Sequence, residues 1–94
     1  MRESWPFSDA ENTATITLKR IIDGTAPILW VSHDLDDGIW QFLDGGTVTD
    51  DDASVVALRE ILDLDPTIRD LADLPLGWKA ERDAVGSPWE RNNQ

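Results

Sequence analysis

Cysteine is absent from the chain. No disulfide framework and no thiolate chemistry can be built, and the absence fits a cytosolic protein. No stretch approaches the ~20 apolar residues that a membrane span requires, because Pro and Gly break every apolar run early. The opening Met1-Arg2-Glu3-Ser4-Trp5-Pro6-Phe7 has no apolar signal core. Cytoplasmic location is the expectation by elimination. Positive charge is scarce: 8 Lys and Arg stand against 19 Asp and Glu, for a net charge of −11. Such a field repels nucleic acid and anionic lipid, whose recognition depends on Lys and Arg. Neither is therefore expected as a partner.

Nucleophilic and metal chemistry are also poorly supplied. No Ser sits in a G-x-S-x-G setting. Ser32, His33 and Asp34 are adjacent, but neighbouring strand residues point to opposite faces, so Ser32 does not serve His33. His33 is the only histidine, which leaves zinc without a second His or Cys ligand. Asp34, Asp36 and Asp37 precede Gly38, yet they fail the calcium-loop template. Counting from Asp34 puts Gly45 at the twelfth position, where a bidentate Glu belongs. Turn formation is the simpler role for these aspartates. No catalytic residue, metal or cofactor is assigned.

What is present is one small domain's worth of chain. Ninety-four residues with 40% hydrophobic content can bury one modest core. Five Trp against two Phe and no Tyr mean that a few large side chains dominate it. Residues 1–12 are polar apart from Trp5-Pro6-Phe7 and read as an arm or tail, and 13–91 as the folded core. Thr13-Ala14-Thr15-Ile16 is β-prone. Thr17 can cap a helical turn through Asp23, which Gly24 ends in a left-handed conformation.

The clearest element is a hairpin over 27–43. With Asp34 to Asp37 as its loop, Val31 faces Trp40 and Leu29 faces Phe42, on one sheet face with His33 at its end. The other face, with Ile28, Trp30, Ser32, Ile39, Gln41 and Leu43, is mixed. The register is expected to be firm, because a one-residue slip would turn Trp40 and Phe42 outward. Thr49-Asp50-Asp51-Asp52 resembles a capping box, and Val55, Leu58, Ile61 and Leu62 share a helical stripe. They predict a helix over 50–63 packed on one face of the sheet. Pro66 suits the start of a short helix to Leu71. Trp78 to Arg82 reads as a strand, and Trp89 as an anchor packing back. The fold class is α+β: a small antiparallel sheet built around the hairpin and a C-terminal strand at 77–82, with one helix on it.

Twelve acids and two bases lie between Asp34 and Asp73, so −10 of the charge sits there. This attracts cationic partners, or serves solubility alone. His33 reads as a strand-end residue bonded to a carboxylate, or as a titrating switch. Trp30 is either covered by a helix or the N-terminal arm, which burial preferences favour, or an exposed anchor.

Val31-Ser32-His33-Asp34, Asp36-Asp37-Gly38-Ile39-Trp40-Gln41-Phe42 and Leu71-Ala72-Asp73-Leu74-Pro75-Leu76-Gly77-Trp78-Lys79-Ala80 resemble a family of small uncharacterised bacterial proteins, a domain of unknown function. The D-G-x-W-x-F element is also similar to one in bacterial immunity-protein-like domains of toxin systems. The resemblance implies bacterial origin and carries no catalytic residue. The leading functional expectation is a non-enzymatic module that binds a basic protein through Trp30, His33, Asp34, Asp36, Asp37, Asp50, Asp51 and Asp52. Masking a toxin's cationic cleft is one concrete form. The alternatives are a metal- or small-ligand-binding enzyme at the hairpin tip and a structural, housekeeping subunit.

Overall fold

The computed structural model describes residues 4–94. Strand β1 (Ala14–Leu18) leads into one helical turn, α1 (Lys19–Ile22). The hairpin strands β2 (Trp30–His33) and β3 (Trp40–Leu43) follow, then β4 (Ala53–Ala57) and helix α2 (Leu58–Leu64). A 3-10 segment, Pro66–Leu71, precedes β5 (Trp78–Glu81) and β6 (Glu90–Asn93). The strands form one sheet in the order β4-β1-β3-β2-β5-β6. The α+β class holds, with a correction: the sheet is mixed, because β1 runs parallel to β3 while every other pairing is antiparallel.

The hairpin forms, with its expected faces and a different register. Val31 pairs with Phe42 and His33 with Trp40, a shift of two residues. Strand side chains alternate with period two, so such a shift leaves the side chains of β2 and β3 on their expected faces, whereas Ile28, expected on the mixed face, joins the core because the strand begins only at Trp30. The loop is longer than expected because Asp34 to Ile39 fold on themselves. Asp34 N–H donates to the Ile39 carbonyl (2.9 Å) and Gly38 N–H to that of Asp34 (2.8 Å). Gly38 takes φ +73°, a conformation that glycine adopts without steric penalty.

The helix expected over 50–63 is only half a helix. Asp50–Asp52 form a 3-10 turn, and Ala53 to Ala57 pair along the whole of β1. Thr49 caps nothing. The β-branched Val55-Val56 pair suits a strand, and β1 offers a ladder that local helical spacing cannot reveal. Helix α2 begins at Leu58, where the Glu60 carboxylate accepts from Ala57 N–H (2.9 Å). Leu58 and Ile61 enter the core, whereas Val55 is 69% exposed. Thr17, expected as a cap, lies instead inside β1 and donates its hydroxyl to the Phe42 carbonyl (2.7 Å). Asp65 caps the Pro66–Leu71 segment through Thr67 N–H (3.0 Å), so this turn starts where Pro66 placed it.

The core lies on one face of the sheet. It joins Leu18, Ile21, Ile28, Val31, Trp40, Phe42, Leu58, Ile61, Ile68, Leu71, Leu74 and Ala80. The segment read as an arm or tail contributes to it. Phe7 is buried and meets Trp40 edge-on at 5.2 Å, and Asp9 accepts from Trp40 Nε1 (2.7 Å). A buried ion pair ties β5 to the Pro66 turn. Arg82 donates to Asp65 (2.6 Å), to the Ile28 carbonyl and to Thr67 Oγ1, with its guanidinium over the Trp89 ring at 4.2 Å. Trp89 packs back as expected. The unforeseen β6 completes the sheet, held by Arg91 to Asp73 (2.8 Å). No helix among the described residues is long and apolar enough to cross a membrane.

Candidate functional site

The expected site residues fall into two groups. Strand β2 runs toward the hairpin tip, so His33, Asp34, Asp36 and Asp37 lie at that end. Strand β1 is parallel to β3, and β4 is antiparallel to β1, with Ala53 beside Leu18. Asp50, Asp51 and Asp52 therefore sit at the opposite end, with Trp30. One strand length, roughly 13 Å at about 3.3 Å per residue, separates the two ends. The eight residues do not form one surface, because the segment expected as a helix crosses the sheet as a strand.

At the far end Asp44 and Asp52 are occupied, while Asp50 and Asp51 stand exposed. Arg20 grips Asp44 with two hydrogen bonds, Nε to Oδ2 (2.6 Å) and Nη2 to Oδ1 (2.9 Å). It also reaches Asp52 (3.2 Å) and the Thr47 carbonyl (2.9 Å). The Arg20 hydrogen bond holds the Asp44 carboxyl below its ordinary value of 3.8. This cluster fastens the loop between β3 and β4. Trp30 is half-buried beside Leu43, Gly45 and Gly46, and its Nε1 donates to Glu81 (3.1 Å). It is neither fully covered nor a free anchor.

The tip is arranged differently. Asp34 is half-buried and accepts from the buried Ser32 hydroxyl (2.9 Å) and from Gln41 Nε2 (2.6 Å). It braces the loop rather than facing a partner. The His33 ring stacks on Trp40 at 3.9 Å and 13°, and Nδ1 donates to the Leu74 carbonyl (2.8 Å). Its bond is thus to a carbonyl, not to the carboxylate expected, because the connector before β5 passes over the strand end. Asp36 and Asp37 are exposed, and no ion pair to either is formed among the described residues.

Beside them lies an apolar pair that sequence reasoning missed. Leu35 is 69% exposed and Leu76 51% exposed. Both border an open groove of about 460 Å³ with Asp34, Asp36, Asp37, Gly77, Asn93 and Gln94. The backbone comes close here: a Cβ on Gly77 would lie 3.6 Å from that of Leu35. The signal was a leucine in the middle of a turn whose other residues are all polar or Gly. Leu76 carried no such signal, since Leu74 in the same connector is buried and only tertiary packing separates the two.

No group of three or more His, Asp or Glu side chains among the described residues is placed to hold a metal ion. Comparison with protein-family models, characterised proteins and solved structures finds no match for this chain.

Proposed function

We propose that this chain is a non-enzymatic binding module that engages a basic protein through the hairpin tip. The observation that carries the reading is two solvent-facing leucines, Leu35 and Leu76, lining one groove rimmed by Asp36 and Asp37, whose carboxylates make no ion pair among the described residues. Interfaces combine a small apolar centre with a polar rim, and two exposed leucines lining one groove at the tip offer such a centre. The carboxylates steer a cationic surface toward the tip, and the leucines slow its departure. Antagonism of a toxin in the bacterial cytoplasm, the role of the immunity-like domains that the hairpin resembles, is one form this takes.

The test is affinity capture from native bacterial lysate at low and high salt, with the natural chain, Leu35→Asp and an Asp36→Asn/Asp37→Asn double variant as baits. A basic protein held at low salt, weakened by added salt and lost from both variants supports the reading. A partner that all three baits retain equally, or one indifferent to salt, overturns it.

A further inference from the structure

The two edges of the sheet are unlike. Strand β6 carries Glu90-Arg91-Asn92-Asn93, all exposed, and charges on an edge strand discourage pairing. Strand β4 is Ala53-Ser54-Val55-Val56-Ala57, with no charge, no Pro and, among the described residues, only β1 as a neighbouring strand. Its outward backbone groups can be identified. Leu58 N–H donates to the Thr13 carbonyl (2.8 Å), so residues 13 and 58 form a bonded pair. Bonded and non-bonded pairs alternate along an antiparallel ladder. Ser54 and Val56 therefore bond to β1, while Ala53, Val55 and Ala57 turn their N–H and C=O groups away.

Two of these outward donors are already engaged. Ala53 N–H bonds the Asp50 carbonyl, and Ala57 N–H bonds the Glu60 carboxylate. The Ala57 carbonyl belongs to the start of α2, as the carbonyl of a residue preceding a helix does. The remaining edge consists of the Val55 N–H and the carbonyls of Val55 and Ala53, one donor and two acceptors, under an exposed Val55 side chain. Asp50 and Asp51 stand exposed at the Ala53 end, and Glu60 at the other.

We infer that β4 is a docking edge for an extended, positively charged segment of another protein, which adds to the sheet as a seventh strand. The site is distinct from the hairpin tip and does not depend on it. An antiparallel segment opposite Val55 satisfies all three backbone groups and lays its following residues beside Asp50 and Asp51, which call for Lys or Arg. A second copy of this chain fits less well. Centred on Val55, it exchanges only the two Val55 bonds, because its Ala57 N–H is tied to Glu60, and it brings together two chains of charge −11.

The probe is an end-blocked peptide, Thr-Val-Thr-Val-Thr-Lys-Lys, titrated into the full isotope-labelled chain by NMR. The expected result is a shift of the Val55 amide, slowed exchange of its proton, and changes confined to residues near 50–57. Val55→Pro removes the donor at an edge position where proline is tolerated, and Val55→Lys adds repulsion while leaving the backbone intact. Either weakens the peptide about tenfold or more, the equivalent of one or two net hydrogen bonds. Replacing the two lysines by glutamates abolishes binding. Changes centred on the hairpin tip, no response at millimolar peptide, or a Val55 shift that follows protein concentration without peptide would each overturn the inference, the last in favour of self-pairing.

Discussion

Two ends of one sheet carry aspartates in similar number and put them to opposite uses. At the end holding residues 44–52, one cation gathers two of them: Arg20 spans Asp44, Asp52 and the Thr47 carbonyl. At the hairpin tip no such cation arrives from among the described residues. Asp34 turns inward to polar neutral groups, and Asp36 and Asp37 remain in solvent beside two exposed leucines. A carboxylate already held by a cation is a fastener, and one without a cation is available to another molecule. Composition cannot separate the two, because the residue type is the same.

The largest expected effect comes from taking the fastener to its buried limit. Arg82→Ala leaves Asp65 Oδ2 and the Ile28 carbonyl without the arginine in a site where its side chain is 1% exposed. Removing one partner of a buried pair costs about 3–5 kcal/mol, which urea denaturation will read as a lower midpoint. Asp34→Ala ranks next. The buried Ser32 hydroxyl loses its acceptor, and stability should fall by about 1–3 kcal/mol. Equal stability of this variant would mean that Asp34 belongs with the free acids of the tip.

Arg20→Ala should lower the denaturation midpoint less than either, because a partly exposed pair contributes little to stability. Its pH dependence sharpens the comparison. The folded Asp44 carboxyl titrates below its ordinary value of 3.8, so its contribution is present above that value and is lost as pH falls through the folded value. The Gly46 amide, bonded to Asp44 Oδ1 at 3.0 Å, should report this titration below 3.8 in the natural chain and at a higher pH in Arg20→Ala, where the lowering by Arg20 is gone. The smallest effect belongs to Asp36→Asn/Asp37→Asn, which should leave the denaturation midpoint within about 0.5 kcal/mol. A larger change would give these residues a structural role and remove them from the proposed surface.

Much of the fold is legible locally. The alternation from Val31 to Phe42 placed each hairpin side chain on its face even though the paired partners differ by two residues, because parity survives an even shift. Pro66 marked its turn because a fixed φ and a missing N–H suit a first helical position. The Val55-to-Leu62 stripe misled for an equally physical reason. Val55 and Leu58 are three apart, a spacing shared by a helix and by a strand that runs into one. The site was half legible: Asp36 and Asp37 stand where the acidic turn put them, but Asp50 to Asp52 were assigned to the same surface and lie across the molecule.

Residue identity alone thus determined the α+β class, the inward faces of the hairpin, the turn positions and the negative field, since each follows from period, backbone preference or charge within a few neighbouring residues. Tertiary structure decided that 53–57 is a strand, that Phe7 is core, that Arg20 reaches Asp44 and not Asp36, and that Leu35 and Leu76 line one groove. Those outcomes depend on which distant segments share the sheet, and pairing across tens of residues leaves no mark on the spacing within any one of them.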